Sequence, residues 1–264
     1  MSLEALLFRF DGAMADTEDA RRQAFNAAFD ALGLAWGWSP QTYAGLLAIP
    51  GVEERLHRYS GMLDLEAGEL DRLHALAPEI CRCASRLYER ALADGRVPLR
   101  PGVKRLFKEA LEAGLRVGVV ITTAPAHAQA MLTAHLGRRG RAAIAACVAA
   151  DQVAPPRLAR DLYLKAIAEL RVPADDALAV EESEIGLLAA RGAGLVTVLT
   201  PTRWTAGQDF AGAHLRLSGL GEPFAPLPEP DARLAGGPQI GVEQLRRIHE
   251  DATRARFSQT GATV

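Results

Sequence analysis

Apolar positions at the start of the chain form a short continuous run that gives way to helical periodicity. Residues 3–8 are mostly apolar and are followed by the Asp11-Gly12 pair, which predicts a buried strand that ends in a turn. From Asp16 onward the period changes, and Phe25 and Phe29 fall on one face of a predicted helix. Helical patterning continues to about residue 92, so a block without strands follows the first strand.

After the segment 98–102 strands alternate with helices. Strands are predicted at 116–121, 177–180 and 196–199, with 143–149 as a strand or a buried helical turn, and helices at 103–113, 125–136, 161–170, 185–191 and 242–256. The segment 207–238 is rich in Gly and Pro and is predicted to be mostly irregular. This alternation implies an α/β fold with a parallel sheet, whose ligand site lies at the carboxyl ends of the strands.

The predicted elements divide the chain into two domains. Residues 1–15 and 95–264 form an α/β core, and residues 16–94 form a helical domain inserted after the first strand. The chain has 264 residues, and 49% of them are apolar. This length suggests one or two domains and is sufficient for a sizeable core.

Composition and charge exclude several classes of function. The net charge is −2 and no basic face is clustered, so a nucleic-acid partner is not expected. The apolar runs are too short to span a membrane, and three sparse cysteines indicate reduced thiols in a cytoplasmic protein. The six histidines form no zinc motif, and the chain has neither a Gly-x-Ser-x-Gly nucleophile elbow nor a phosphate-binding P-loop.

Four segments occur in the order that is typical of one known family. Residues 8–18 resemble the first motif of the haloacid dehalogenase (HAD) superfamily, which usually reads Asp-x-Asp-Gly-Thr. Residues 98–103 resemble the return from the cap to the core, and residues 178–187 resemble the metal-binding motif. Residues 207–210 resemble the tail of the CbbY-like branch of sugar-phosphate phosphatases, close to β-phosphoglucomutase. The resemblance implies a Rossmann-like, three-layer parallel sheet with an inserted α-helical cap.

The resemblance also implies a chemistry. In the family one Asp attacks phosphorus to form an aspartyl-phosphate, and a second Asp two residues later is the general acid and base. A Ser or Thr and a Lys hold the phosphoryl group, and acidic residues bind magnesium. The implied cofactor is therefore Mg²⁺, and the implied ligand is a small phosphorylated metabolite.

This sequence departs from the family at the first motif. Arg9 occupies the nucleophile position, and a guanidinium group stays protonated and cannot attack phosphorus. Asp11 keeps the acid/base position, as a remaining active group or as a partner for Arg9. Ala13 replaces the motif threonine.

The other motifs are altered as well. In the ungapped register Ile121 takes the position of the phosphate-binding hydroxyl, and a shift of one residue puts Thr122 there. Arg157 falls on the family lysine, as a phosphate-binding cation or an exposed loop arginine. Glu181 and Glu182 keep the acidic pair of the metal motif. In the helical domain Glu53 stands where the branch has a substrate-binding lysine.

These replacements predict a catalytically impaired family member that binds a ligand or a protein partner. In this hypothesis Arg9 replaces magnesium as the cation that neutralises Asp11, Glu181 and Glu182, so metal binding is doubtful. Two alternatives remain open. One is an active or altered phosphomonoesterase in which Asp11 positions water, and the other is a structural or regulatory partner of a true family enzyme.

Overall fold

The computed structural model describes residues 2–49, 51–63, 66–122, 125–153 and 159–260. The chain divides into two compact units: Met1–Asp16 with Pro98–Val264, and Thr17–Val97. In the described residues the first unit contains the sheet and the second is helical. That the helical unit works as a cap stays a prediction.

The first unit is built on one parallel sheet. Its order is β3-β2-β1-β4-β5-β6, and each neighbouring pair is parallel. The strands are β1 Ala5–Arg9, β2 Arg116–Ile121, β3 Ile144–Ala149, β4 Ala177–Glu181, β5 Val196–Leu199 and β6 Leu215–Arg216. The predicted α/β fold with a parallel sheet and a helical region is confirmed.

Helices occupy both units. The helical unit contains α1 Thr17–Ala31, α2 Pro40–Leu46, α3 Val52–Ser60 and α4 Ala67–Ala93. The first unit contains α5 Val103–Glu112, α6 Pro125–Ala142, α7 Ala159–Leu170, α8 Glu184–Gly192, α9 Glu229–Ala235 and α10 Val242–Thr260. None of the helices in the described ranges is both long and apolar enough to cross a lipid bilayer.

The sheet is covered on both faces, which makes three layers. Successive residues of a strand point to opposite faces. Ala5 and Leu7 of β1 pack in a buried cluster with residues of α7 and α8, whereas Leu6 and Phe8 are fully buried on the other face. Helices α5 and α10 contact each other, with α5 also against β2 and α10 against β5. Burial on both faces explains why these strands are continuous apolar runs in the sequence.

The segment 207–238 has more regular structure than the sequence predicts. It contains β6, which extends the sheet beside β5, and the seven-residue helix α9. A strand of two residues is too short to show a period in the sequence, so the prediction missed it. Helix α6 continues past residue 136, but it bends at Gly137, whose φ of 73° is left-handed.

The helical unit has an aromatic core of its own. The ring of Trp38 lies 4.9 Å from that of Phe25 and 5.2 Å from that of Phe29, measured between centroids. Asn26 in α1 fixes this segment, because its side chain bonds both the N–H and the carbonyl of Trp38. Burial of large rings of this kind is the main source of stability in a small helical unit.

Candidate functional site

The strand order reverses between β1 and β4. From β1 the chain proceeds outward through β2 and β3, and from β4 it proceeds in the other direction through β5 and β6. In open parallel sheets the ligand crevice lies at this point, beyond the carboxyl ends of the strands. Phe8 pairs with Val180, so Arg9 and Glu181 are the next residues of two adjacent strands at that edge.

Five polar residues meet there and are called the β1–β4 site. They come from the ends of three strands and the turns that follow them: Arg9, Asp11, Thr122, Glu181 and Glu182. All five belong to the first compact unit.

Arg9 lies at the centre of the β1–β4 site. Its Nη1 is 3.5 Å from Glu181 Oε1, and its Nη2 donates a 3.0 Å hydrogen bond to Thr122 Oγ1. The side chain is only 12% exposed, and its Nε is buried without a hydrogen-bond partner among the described residues. Burial disfavours the charged guanidinium, but the acidic groups around it, led by Glu181, more than offset this and raise the pKa of Arg9. Arg9 is therefore a permanent cation here.

Glu181 is fully buried at the end of β4. Its Oε1 accepts a hydrogen bond from the Tyr163 hydroxyl, and its Oε2 accepts one of 2.9 Å from the backbone N–H of Glu182. A Cβ atom at Gly186 would overlap the Glu181 carboxylate, so any larger residue there would displace the Glu181 side chain from its present position. Burial and the negative charge of Glu181 raise the pKa of Tyr163 well above its ordinary value. The hydroxyl thus stays protonated and remains a donor.

The two other carboxyl groups differ in their surroundings. Asp11 Oδ2 accepts hydrogen bonds from the N–H of Thr122 at 3.0 Å and from its Oγ1 at 2.8 Å. Glu182 packs against Gly12, where a Cβ would overlap its Cγ. Burial, followed by the charge of Glu181, raises the pKa of Glu182 to about 7. Asp11 is thus a fixed acceptor, whereas Glu182 changes its charge near neutral pH.

Arg100 ties the first-motif turn to the end of β5. Its Nη1 donates to the carbonyls of Gly12, at 2.8 Å, and of Thr200, at 2.5 Å, and its Nη2 donates to the carbonyl of Pro201 at 3.2 Å. Burial lowers the pKa of Arg100, while the nearby carboxylates of Asp16 and Glu182 act in the opposite direction. These bonds hold the turn after Arg9 in place, so Arg100 is a positioning group that the sequence did not reveal.

The structure brings most of the predicted residues together. Thr122, not Ile121, lies beside Asp11, because Ile121 is the last residue of β2 and its side chain is fully buried. Arg157 lies outside the described residues. Glu53 is exposed on α3 in the helical unit. The roles assigned to these residues stay predictions.

The contact of Tyr163 with Glu181 was not predicted from the sequence. Tyr163 lies on the buried face of α7 with Leu162 and Ala166, and so its position in the sequence predicts only a core residue. A buried tyrosine hydroxyl almost always has a hydrogen-bond partner, and this was the available signal. The identity of the partner, Glu181, depends on how α7 packs on β4.

The residues present were compared with the requirements of a magnesium ion. Mg²⁺ demands oxygen ligands in near-octahedral geometry. Within the described ranges no group of three His, Cys, Asp or Glu side chains is arranged to hold a metal ion. At the β1–β4 site the guanidinium of Arg9 forms an ion pair with the buried carboxylate of Glu181, and its positive charge opposes that of a metal. This donor set does not fit magnesium.

A parallel sheet with helices on both faces, and acidic residues at its strand ends, define an HAD-type α/β protein. A family model of haloacid dehalogenase-like hydrolases matches residues 3–194, and the chain belongs to this family. Within the family it belongs to the CbbY-like branch. It is 43% identical to the plasmid protein CbbY of Cupriavidus necator over 227 residues, 86% of this chain and 89% of the relative. It is 38% identical to CbbY of Rhodobacter capsulatus, with 83% and 95% covered.

Solved structures agree with this assignment. CbbY from Rhodobacter sphaeroides, crystallised with phosphate, is 35% identical, with a TM-score of 0.63 over 82% of this chain and 94% of that one. A variant of the same protein, in complex with xylulose 1,5-bisphosphate, gives a TM-score of 0.62 with the same coverage.

Proposed function

We propose that this chain is a CbbY-like protein that has lost phosphomonoesterase chemistry and acts by binding. The observation that carries the proposal is the arginine at the end of β1, whose guanidinium contacts Glu181 and Thr122. A protonated guanidinium has no lone pair with which to attack phosphorus. The aspartyl-phosphate route therefore has no nucleophile at this position.

Arg9 also supports the loss of metal-dependent chemistry. Its charge lies against the buried carboxylate, which is the place where a metal would neutralise charge in an active relative. We propose that Arg9 is a built-in cation that takes over this neutralising role. A buried carboxylate without a cation is costly, so the arginine stabilises the fold while it occupies the site.

The ligand we propose is a small phosphorylated metabolite, with a protein partner as the other possibility. The support is the similarity to CbbY of Rhodobacter sphaeroides, which was crystallised with phosphate and, as a variant, with xylulose 1,5-bisphosphate. The three cysteines are free thiols, which supports a reducing, cytoplasmic location.

A second candidate is an altered phosphomonoesterase. Asp11 favours it, because the carboxylate at the acid/base position is still present and is oriented by two hydrogen bonds from Thr122. In this candidate Asp11 would hold a water molecule for direct attack on a phosphoester. It predicts turnover by the natural chain that is lost in Asp11→Asn.

The two candidates are separated by one assay of phosphate release. The natural chain, Arg9→Asp, Arg9→Asn and Asp11→Asn are incubated with xylulose 1,5-bisphosphate and an aryl phosphate, with and without magnesium. We expect no release by the natural chain, weak magnesium-dependent release by Arg9→Asp, and none by Arg9→Asn. The asparagine variant is the matched control, because it has the size of aspartate without the nucleophile.

Thermal melting of the same proteins provides a readout that does not need turnover. Magnesium should raise the melting temperature of Arg9→Asp and leave that of the natural chain unchanged, because a ligand stabilises only the state that binds it. Release by the natural chain that disappears in Asp11→Asn would overturn the proposal and establish the altered phosphomonoesterase. A marked rise in the melting temperature of the natural chain with magnesium would overturn the built-in cation.

A further inference from the structure

A cavity lies at the same edge of the sheet as the β1–β4 site, beyond the ends of β5 and β6, and is called the β5–β6 pocket. Its volume is about 480 Å³, within the range of small-molecule sites. The residues that matter for its chemistry are Thr202, Arg203, Arg216, Ser218 and Asp231. All belong to the first compact unit, and none is part of the β1–β4 site.

Arg216 is held in place by an aromatic ring. Its guanidinium carbon lies 4.9 Å from the centroid of Phe210, which is buried, and its Nη2 donates a 3.0 Å hydrogen bond to the carbonyl of Ala206. A guanidinium that stacks on a ring keeps its N–H groups in the plane, directed away from the ring. Arg216 therefore offers further donors from a fixed position.

Arg203 has a similar arrangement on the loop that follows β5. Its guanidinium carbon lies 5.8 Å from the centroid of Trp204. Trp204 is fixed in turn, because its Nε1 donates a 2.9 Å hydrogen bond to Asp16 Oδ1. The loop itself is closed by Thr202 and Thr205, whose side chains bond backbone N–H groups and each other. Both arginines thus stand on anchored rings.

The arginines of the β5–β6 pocket differ from Arg9, which is paired with the carboxylate of Glu181. In the described part of the chain no carboxylate lies within ion-pair distance of Arg203 or Arg216. The acid that lines the pocket is Asp231, and its Oδ2 accepts hydrogen bonds from the N–H and Oγ of Ser218. Two guanidinium groups against one committed carboxylate leave an excess of positive charge.

We propose that the β5–β6 pocket binds the phosphate group of a small molecule between Arg203 and Arg216. Planar guanidinium groups match the oxygens of a phosphate and bind it through paired, charge-assisted hydrogen bonds. At the β1–β4 site, by contrast, an incoming phosphate meets Asp11, Glu181 and Glu182, with a single cation among them. This binding does not depend on whether the β1–β4 site performs turnover.

The test is calorimetric titration of the full chain with inorganic phosphate at low salt and pH 7.5, followed by titration with ribose 5-phosphate and with free ribose. We expect inorganic phosphate and ribose 5-phosphate to bind and free ribose not to bind. Arg203→Gln and Arg216→Gln should each weaken phosphate binding at least about tenfold, which is the loss of one charge-assisted contact. Arg216→Lys should bind with intermediate affinity, because it keeps the charge and loses the planar fork.

Arg233→Gln is the matched control. Arg233 is an exposed arginine on α9 and is paired with Glu229. Its replacement by Gln removes the same unit of charge, from the helix that also carries Asp231. It should change phosphate affinity by less than about twofold, as expected for an exposed surface pair. Backbone amide shifts measured with phosphate should be largest at 203–206 and 216–218.

Three results would overturn the proposal. One is a dissociation constant above about 10 mM for both inorganic phosphate and ribose 5-phosphate. Another is an equal loss in Arg233→Gln, since that would indicate only general attraction to positive charge. The third is binding that persists in the Arg203→Gln and Arg216→Gln variants but disappears in Thr122→Ala, which would place the phosphate at the β1–β4 site. Melting curves of each variant confirm that it is folded.

Discussion

The β1–β4 site and the β5–β6 pocket lie along one edge of the same sheet, and both contain arginine. Arg9 is only 12% exposed and lies between Glu181 and Thr122, whereas Arg203 and Arg216 are exposed, stand on aromatic rings and have no paired carboxylate in the described part of the chain. A buried guanidinium with acidic neighbours contributes to folding and has little capacity left for a ligand. An exposed guanidinium on an anchored ring contributes little to folding and keeps its donors available.

The largest effect is expected when the cation of the β1–β4 site is removed. Arg9→Met keeps much of the side-chain volume but leaves the buried carboxylate of Glu181 without its nearest positive charge. The free energy of unfolding should fall by about 3–5 kcal/mol, as for other buried pairs that lose one partner. Urea unfolding followed by circular dichroism measures this difference.

A double substitution provides the control for Arg9→Met. If the cost comes from the unpaired carboxylate, Arg9→Met combined with Glu181→Gln should recover most of the lost stability, because the buried charge is removed as well. A loss below about 1 kcal/mol in the single variant would show that Arg9 does not neutralise a buried charge.

The next effect concerns pH. Folding raises the pKa of Glu182 from 4.5 to about 7, so the folded state holds a proton that the unfolded state releases. The stability that this proton provides is fully present below pH 4.5 and is lost as the pH rises through about 7. We expect the free energy of unfolding, measured in a chelator, to fall by on the order of 2–3 kcal/mol between pH 5 and pH 8 from this group.

Glu182→Gln isolates that contribution. Glutamine at position 182 cannot ionise. The free energy of unfolding of the variant should therefore change less between pH 5 and pH 8 than that of the natural chain. Parallel curves for the two proteins would mean that Glu182 does not change its charge on folding in this range. The pH dependence of stability would then give no support to the contrast between a buried β1–β4 site and an exposed β5–β6 pocket.

A smaller effect is expected for Tyr163→Phe. This change removes the hydroxyl that donates to Glu181 and leaves the ring in the core. A hydrogen bond to a charged group contributes roughly 1.5–3 kcal/mol, so the free energy of unfolding should fall by about 2 kcal/mol. The control is Tyr59→Phe in the helical unit, whose hydroxyl makes an exposed 3.2 Å bond to the carbonyl of Gly37. Equal losses in the two variants would contradict a special role for Tyr163.

The sheet could be predicted from the sequence, because its strands are apolar runs bounded by turns. The bounds of β2 and β5 agree with the prediction at both ends. The predicted β4 stops at residue 180, whereas the strand includes Glu181. A glutamate at a strand end is ordinarily solvated, and its burial here depends on Arg9 and Tyr163, which are far away in the sequence. Local patterns do not contain that information.

The β1–β4 site was predicted in its membership but not in its contacts. The resemblance to the family placed Arg9, Asp11 and the two glutamates at one edge, and the carboxyl ends of parallel strands bring them together. The choice between Ile121 and Thr122 could not be made, because it depends on the residue at which β2 ends against β1 and β3. The β5–β6 pocket was not predicted, since β6 has two residues and the ring under Arg216, that of Phe210, comes from a segment predicted to be mostly irregular.

The smallest effect on folding is expected in the β5–β6 pocket, and it is the sharpest test of the comparison. Arg203→Met makes the same chemical change as Arg9→Met, but Arg203 is exposed and has no ion pair among the described residues. The free energy of unfolding should change by less than about 0.5 kcal/mol, measured by the same urea unfolding. A loss close to that of Arg9→Met would mean that Arg203 is also part of the folded charge balance. Its donors would then not be available to a phosphate, and the contrast between the two regions would fail together with the proposed site.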